Sequence, residues 1–191
     1  AKTLETDALI LDLEDAVAPS EKDAARILVR DVLCRGEFGG CEVTVRINGM
    51  DTGLWREDVA AVVPAGATGL RVPKVENPRD IRLLDEYLGE VESQAGIAEG
   101  HTALFCLLET ALGIWRAYDI ATASPRVAAL IPGGEDLTAD LRTQRSADGA
   151  ELATIRSLLV VAALAAGVDA LDTVYPRVAD DEGLRREVAF I

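Results

Sequence analysis

Residues 9–17 read "LILDLEDAV", an apolar run of strand type that ends in three carboxylates, Asp12, Glu14 and Asp15. Like charges this close repel, and burying them is costly unless cations meet them. The stretch therefore reads as a strand whose C-terminal end opens onto a polar site. Five further runs of β type lie downstream: "EVTVRI", "LRVPKV", "ALFCLL", "VAALIP" and "ALDTVY", starting at residues 42, 70, 103, 127 and 170. Each gives way to a polar turn and then to a segment of helical periodicity, the spacing of repeated βα units in a parallel sheet. The fold class is α/β.

The helices between the strands carry their own punctuation. "SEKDAARILVRDVL" opens with Ser20 and Asp23 at capping-box spacing, and Ala24, Ile27, Leu28 and Val32 are spaced for one buried face. Pro78 suits the first turn of "PRDIRLLDEYLGEVE", and Gly167 suits a left-handed stop for "ELATIRSLLVVAALAAG". No linker or low-complexity tract divides the chain, so residues 1–191 read as one domain. A doubly wound sheet and a closed barrel both use such units. The G-x-G-x-x-G turn of the dinucleotide-binding type is absent, because the glycine pairs at 39–40 and 133–134 have the wrong spacing. In a barrel, catalytic groups gather at the C-terminal strand ends, and polar residues concentrate there: Asp12/Glu14/Asp15, Arg46/Asn48, Lys74/Glu76, Glu109 and Glu135/Asp136.

A net charge of −14 repels phosphate backbones and anionic lipid, which argues against nucleic-acid and membrane-surface partners. Cys34, Cys41 and Cys106 form no C-x-x-C pair and read as buried or indifferent thiols of a reducing compartment. The longest apolar stretch, "LLVVAALAA" at 158–166, falls far short of the roughly 20 residues a bilayer span needs. The expectation is a soluble cytoplasmic protein. The chain also starts without an initiator Met and stops abruptly at "REVAFI", which reads as a piece of a longer natural protein.

Period-two alternation places Phe105, Leu107 and Glu109 on one strand face, and Thr44, Arg46 and Asn48 on one face of another. An arginine and several acids converging on one mouth suit a divalent cation with an anionic substrate. Oxygen donors without a His or Cys cluster favour Mg²⁺ or Mn²⁺ over zinc. The competing reading is an internal salt-bridge network. Lys74 is either a cation beside the ligand or an internal partner of Asp12 or Glu76, and Asp172 either lies near the mouth or caps a turn. His101 reads as a surface loop residue; Trp55 and Trp115 read as packing residues. Gly133 and Gly134 let backbone N–H groups approach a substrate oxygen.

Taken in order, "LILDLEDAVAPSEKDAAR", "VRIN", "LRVPKVE", "LLETALGI", "GGEDLTADL" and "AALAAGVDALDTVYP" resemble the citrate lyase β-subunit-like branch of the 2-oxoacid aldolase/citrate lyase superfamily, from about residue 7 to 190. The resemblance implies a TIM (β/α)8 barrel whose first and last strands lie outside this chain, and assembly as a homotrimer or hexamer. It implies Mg²⁺, with Mn²⁺ as a substitute, and a carbon–carbon lyase that cleaves or forms a short 3-hydroxyacyl-CoA of the citryl, malyl or citramalyl type. The partners are then an acyl-CoA thioester and a 2-oxoacid. By the same resemblance Glu109 and Asp136 are metal ligands, and Glu109 and Gly134 border the substrate. Arg46 grips the substrate carboxylate, Asp15 is the candidate base, and Glu14 and Lys74 stand around the metal's waters. "IPGGED" departs from the family pattern, which has a bulkier residue before the turn; substrate identity is left open by it. An aldolase acting on a free hydroxy-oxoacid and a non-catalytic barrel subunit are the alternatives.

Overall fold

The computed structural model describes residues 6–36, 38–146 and 149–190. The apolar runs become six strands: β1 (Ala8–Asp12), β2 (Glu42–Arg46), β3 (Gly69–Val72), β4 (Ala103–Leu108), β5 (Val127–Pro132) and β6 (Asp169–Ala170). Every pair of neighbours is parallel, and spatial order equals chain order, β1 through β6. A doubly wound sheet reverses its order at a switch point, whereas these strands succeed one another as staves of a barrel do. The sheet is not closed, and β1 and β6 are its edges.

The last strand is much shorter than the expected "ALDTVY". Leu171 still donates to the Leu130 carbonyl at 3.0 Å, but Pro132 then offers no N–H to carry the ladder on. Asp172 turns instead to Arg156, and Thr173 to Gly134.

Alternation sorts the two faces of the sheet. Val45, Leu70 and Leu104 stand in register on one face, as do Val72, Cys106 and Leu130, and all are fully buried. Helix α3 (Pro78–Ala95) adds Ile81, Leu84 and Leu88 to this core, each contributing about 2–3 kcal/mol by leaving water. The opposite face carries the row Asp12, Arg46, Arg71, Phe105, Ala129 and Asp169. Phe105 lies over Gly69, where a Cβ would meet its ring at 2.8 Å.

Helix α1 (Lys22–Arg35) departs from expectation at its start and on its face. Residues Pro19–Glu21 form a 3-10 turn, so Ser20 caps nothing; the Lys22 ammonium instead donates to the carbonyls of Leu13 and Glu14 at 2.8 and 2.7 Å. The buried face is Val29 and Leu33, while Ile27 and Leu28 are 53% and 64% exposed. The rotation has a cause: Arg26 donates to the buried carboxylate of Asp58 in α2 (Trp55–Val62), and positions 26, 29 and 33 share one side of a helix. Expected caps hold elsewhere. Asn77 accepts from Arg79 N–H ahead of Pro78, and Gly167, at φ 76°, ends α7 (Ala153–Ala166). Trp55 is buried edge-on against Tyr87, whereas Trp115 is 87% exposed, unlike the packing residue expected. Trp115 closes the short helix α4 (Ala111–Trp115), which α5 (Ala117–Ala121) follows at once. His101 lies exposed in its loop, as expected. Cys106 is buried, which pushes its thiol up to about 12; Cys34 is exposed and Cys41 partly buried.

Candidate active site

The cations that meet the carboxylate knot of β1 are Arg46 and Lys74. Asp12 and Arg46 stand directly opposite on β1 and β2; Arg46 Nε donates to Asp12 Oδ1 at 2.8 Å, and its second N–H binds Asp12 Oδ2. The other guanidinium nitrogen of Arg46 lies 2.8 Å from Glu14 Oε2. Lys74 Nζ donates to Glu14 Oε1 at 3.0 Å and approaches Asp15 Oδ1 at 3.9 Å. Burial pushes the Asp12 carboxyl up, but the Arg46 guanidinium and the Glu14 N–H outweigh it and hold the group below the ordinary carboxylate range. Lys74 is raised, first by its hydrogen bond to Glu14. Its partner is thus Glu14, not the Asp12 or Glu76 considered from the sequence.

Glu109 directly follows β4, with 4% of its surface exposed. Lys74 N–H donates to Glu109 Oε2 at 2.9 Å, a direction that Lys74 achieves by adopting φ 53°, uncommon for a side chain with a Cβ. A Cβ at Gly133 would lie 2.3 Å from Glu109 Cγ, so glycine is required at that contact. Burial, then the nearby charges of Glu14 and Asp136, push the Glu109 carboxyl up to about 7, with Lys74 offsetting part of the rise. Asp136 is exposed in the first turn of α6 (Gly134–Asp140). Glu109, Asp136 and Lys74 border one cavity of about 380 Å³, together with Asp51, Glu76, Asp80 and Asp140. Six carboxylates thus face a single lysine there.

Other expected residues lie elsewhere. Gly134 N–H donates to Thr173 Oγ1 at 2.9 Å, and Gly133 N–H to the Leu108 carbonyl at 3.0 Å. The first bond ties the start of α6 to the segment after β6, and the second continues the ladder between β4 and β5. Asn48 does not share the mouth with Arg46: its side-chain amide and its backbone N–H both donate to Asp58 Oδ2, at 2.7 and 2.9 Å. Asp172 serves Arg156. Sequence reasoning overlooked Asp140, although it follows Asp136 by one helical turn in "GGEDLTAD". It also overlooked Asp51 and Asp80, whose loop and helix positions carry no periodic signal.

The donor set is all oxygen. Among the described residues no group of three or more potential ligands is assembled. Two carboxylates on a shared cavity suit a hard cation that keeps most of its waters, as Mg²⁺ does, better than a zinc ion, which needs a closed nitrogen and sulfur set.

Barrel-ordered parallel strands with acids, a lysine and an arginine at their C-terminal ends define an α/β protein with a polar site at the mouth of its sheet. The chain belongs to the HpcH/HpaI aldolase/citrate lyase family, whose pattern it matches over residues 1–191. It is 40% identical over 185 residues to the citrate lyase subunit beta of Leuconostoc mesenteroides, covering 97% of this chain and 61% of that protein. It is 37% identical over 187 residues to a (3S)-malyl-CoA thioesterase of Cereibacter sphaeroides, covering 98% and 61%. Among solved structures, the citrate lyase beta subunit of M. tuberculosis complexed with oxaloacetate and magnesium superposes with a TM-score of 0.77 at 33% identity, over 95% of this chain and 75% of that one. The chain spans about three-fifths of the length of the curated relatives it matches.

Proposed function

We propose that the protein is a Mg²⁺-dependent carbon–carbon lyase that cleaves or forms a short 3-hydroxyacyl-CoA, with an acyl-CoA and a 2-oxoacid as the other pair of reactants. The observation that carries this reading is the buried Glu109 carboxylate, set against Asp136 and Glu14 with too little positive charge around it. Glu109 and Asp136 would hold the cation, and Mn²⁺ would serve in its place. When bound, the ion supplies a Lewis acid that stabilises negative charge growing on the substrate's hydroxyl oxygen.

The chain's own groups do the rest. Asp12 and Glu14 fix the plane of the Arg46 guanidinium, which keeps further N–H groups for a paired grip on the substrate carboxylate. Asp15, exposed beside Lys74, takes the hydroxyl proton and passes it to solvent; the carbon–carbon bond breaks, its electron pair leaves as the thioester enolate, and the enolate takes a proton from solvent at carbon. Lys74 pairs with Glu14 and screens the anionic substrate from its charge. In this reading the protein works as a homotrimer or hexamer in the cytoplasm, without nucleic-acid or membrane partners. No helix among the described residues is long and apolar enough to cross a membrane.

The test is to incubate full-length protein and Mg²⁺ with citryl-, malyl- and citramalyl-CoA and with free hydroxy-oxoacids, and to detect products by mass. Acyl-CoA plus 2-oxoacid is expected, lost in Glu109→Gln and Asp136→Asn. Free CoA plus an intact hydroxyacid would mean thioester hydrolysis, turnover of free acids alone would mean an aldolase, and either would overturn the lyase reading.

A further inference from the structure

We infer that Asp140 is a positioning residue: its carboxylate clamps the end of α6 to the start of α4 and so sets the separation of Asp136 from Glu109. This rests on the reading of those two acids as cation ligands. Asp140 follows Asp136 by four residues on α6, one turn along the same face. Its Oδ2 accepts from Ala111 N–H at 2.8 Å. Ala111 is the first residue of α4, and its N–H is one of the donors that a helix start leaves without an internal acceptor. Thr110 does not serve it, because Thr110 Oγ1 accepts from Gly113 N–H.

The opposite end of α6 is held at the same corner. Gly133 lies directly on the Glu109 side chain, and its N–H binds the Leu108 carbonyl. Residues 133 and 140 therefore fasten α6 to the β4–α4 connection on either side of Asp136. Removing one fastening lets the helix pivot about the other. Asp140 lines the same cavity as Glu109 and Asp136. The contact with Ala111 uses one acceptor oxygen, which asparagine shares.

The experiment compares Asp140→Ala and Asp140→Asn in the full-length protein. Mn²⁺ affinity is read by electron paramagnetic resonance, and amide hydrogen exchange of the 109–115 segment is read without metal. Asp140→Ala should weaken Mn²⁺ about tenfold, the low end for losing a group that orients a ligand, and should speed exchange at Ala111. Asp140→Asn should match the wild type in both. Wild-type behaviour of Asp140→Ala would overturn the inference, and so would an Asp140→Asn variant as weak as Asp140→Ala, which would make Asp140 a ligand by its charge. A wild type without Mn²⁺ affinity would sink the ligand reading, while the exchange data alone would still decide whether the clamp exists.

Discussion

Lys74 joins two chemistries in one residue: a backbone N–H aimed at Glu109 and an ammonium aimed at Glu14. Its left-handed backbone costs about 1–2 kcal/mol for a residue with a Cβ. Lys74→Met keeps the N–H and removes the charge, so cation affinity should rise several-fold while 2-oxoacid affinity falls; calorimetric titration of each ligand shows both signs. Gly133→Ala pushes a methyl into Glu109 and should lower stability by about 1–3 kcal/mol along with Mn²⁺ affinity, read by denaturation and titration. The positions of Glu109 and Arg46 at strand ends were legible in the sequence, because one acid follows an apolar run and alternation sets Arg46 on the polar face it shares with Thr44. The employment of Asn48 and Gly134 was not, because their acceptors, Asp58 and Thr173, come from other elements that only the fold brings near.

Helix α1 shows how a correct period can yield the wrong face. Consecutive apolar residues at 27–29 and 32–33 allow two stripes one position apart, and hydrophobicity does not choose between them. The buried pairing of Arg26 with Asp58 chooses. Asp58→Ala should therefore cost about 2–4 kcal/mol by urea unfolding, because two buried donors of Asn48 lose their acceptor while Arg26 keeps Asp23 and Glu57. Helix α3 provides the pH dependence. Its Glu92 is fully buried, accepts from Arg126 at 2.7 and 2.8 Å and from the N–H groups of Gly100 and Thr102. Burial alone would raise this carboxyl, but Arg126 and the backbone donors hold it at about 2, below the ordinary 4.5. A depressed folded value stabilises the native state above pH 4.5, and that stabilisation is lost as pH falls towards 2. The loss is about 3 kcal/mol by linkage. Unfolding curves between pH 6 and pH 3 should show about 2 kcal/mol of that loss, and Glu92→Gln should flatten the slope.

Across the molecule, strand spacing announced the α/β class and the number of strands, yet could not distinguish a barrel from a doubly wound sheet. That choice depends on the side to which each crossover returns. The parallel order β1 to β6 supplies it, and places every C-terminal strand end, with its acids and cations, at one mouth. The brevity of β6 was hidden because a ladder depends on its neighbour, and Pro132 stops it. A chain of net charge −14 with six carboxylates around one cavity can receive an anionic substrate only if positive charge accompanies it. Two acids that are 27 positions apart, Glu109 and Asp136, are brought to that cavity by adjacent strands. Mn²⁺ titration of the full-length protein, beside Glu109→Gln and Asp136→Asn, tests their shared role most directly. One site per chain is expected, weakened about tenfold or more in each variant; affinity unchanged in both would contradict it.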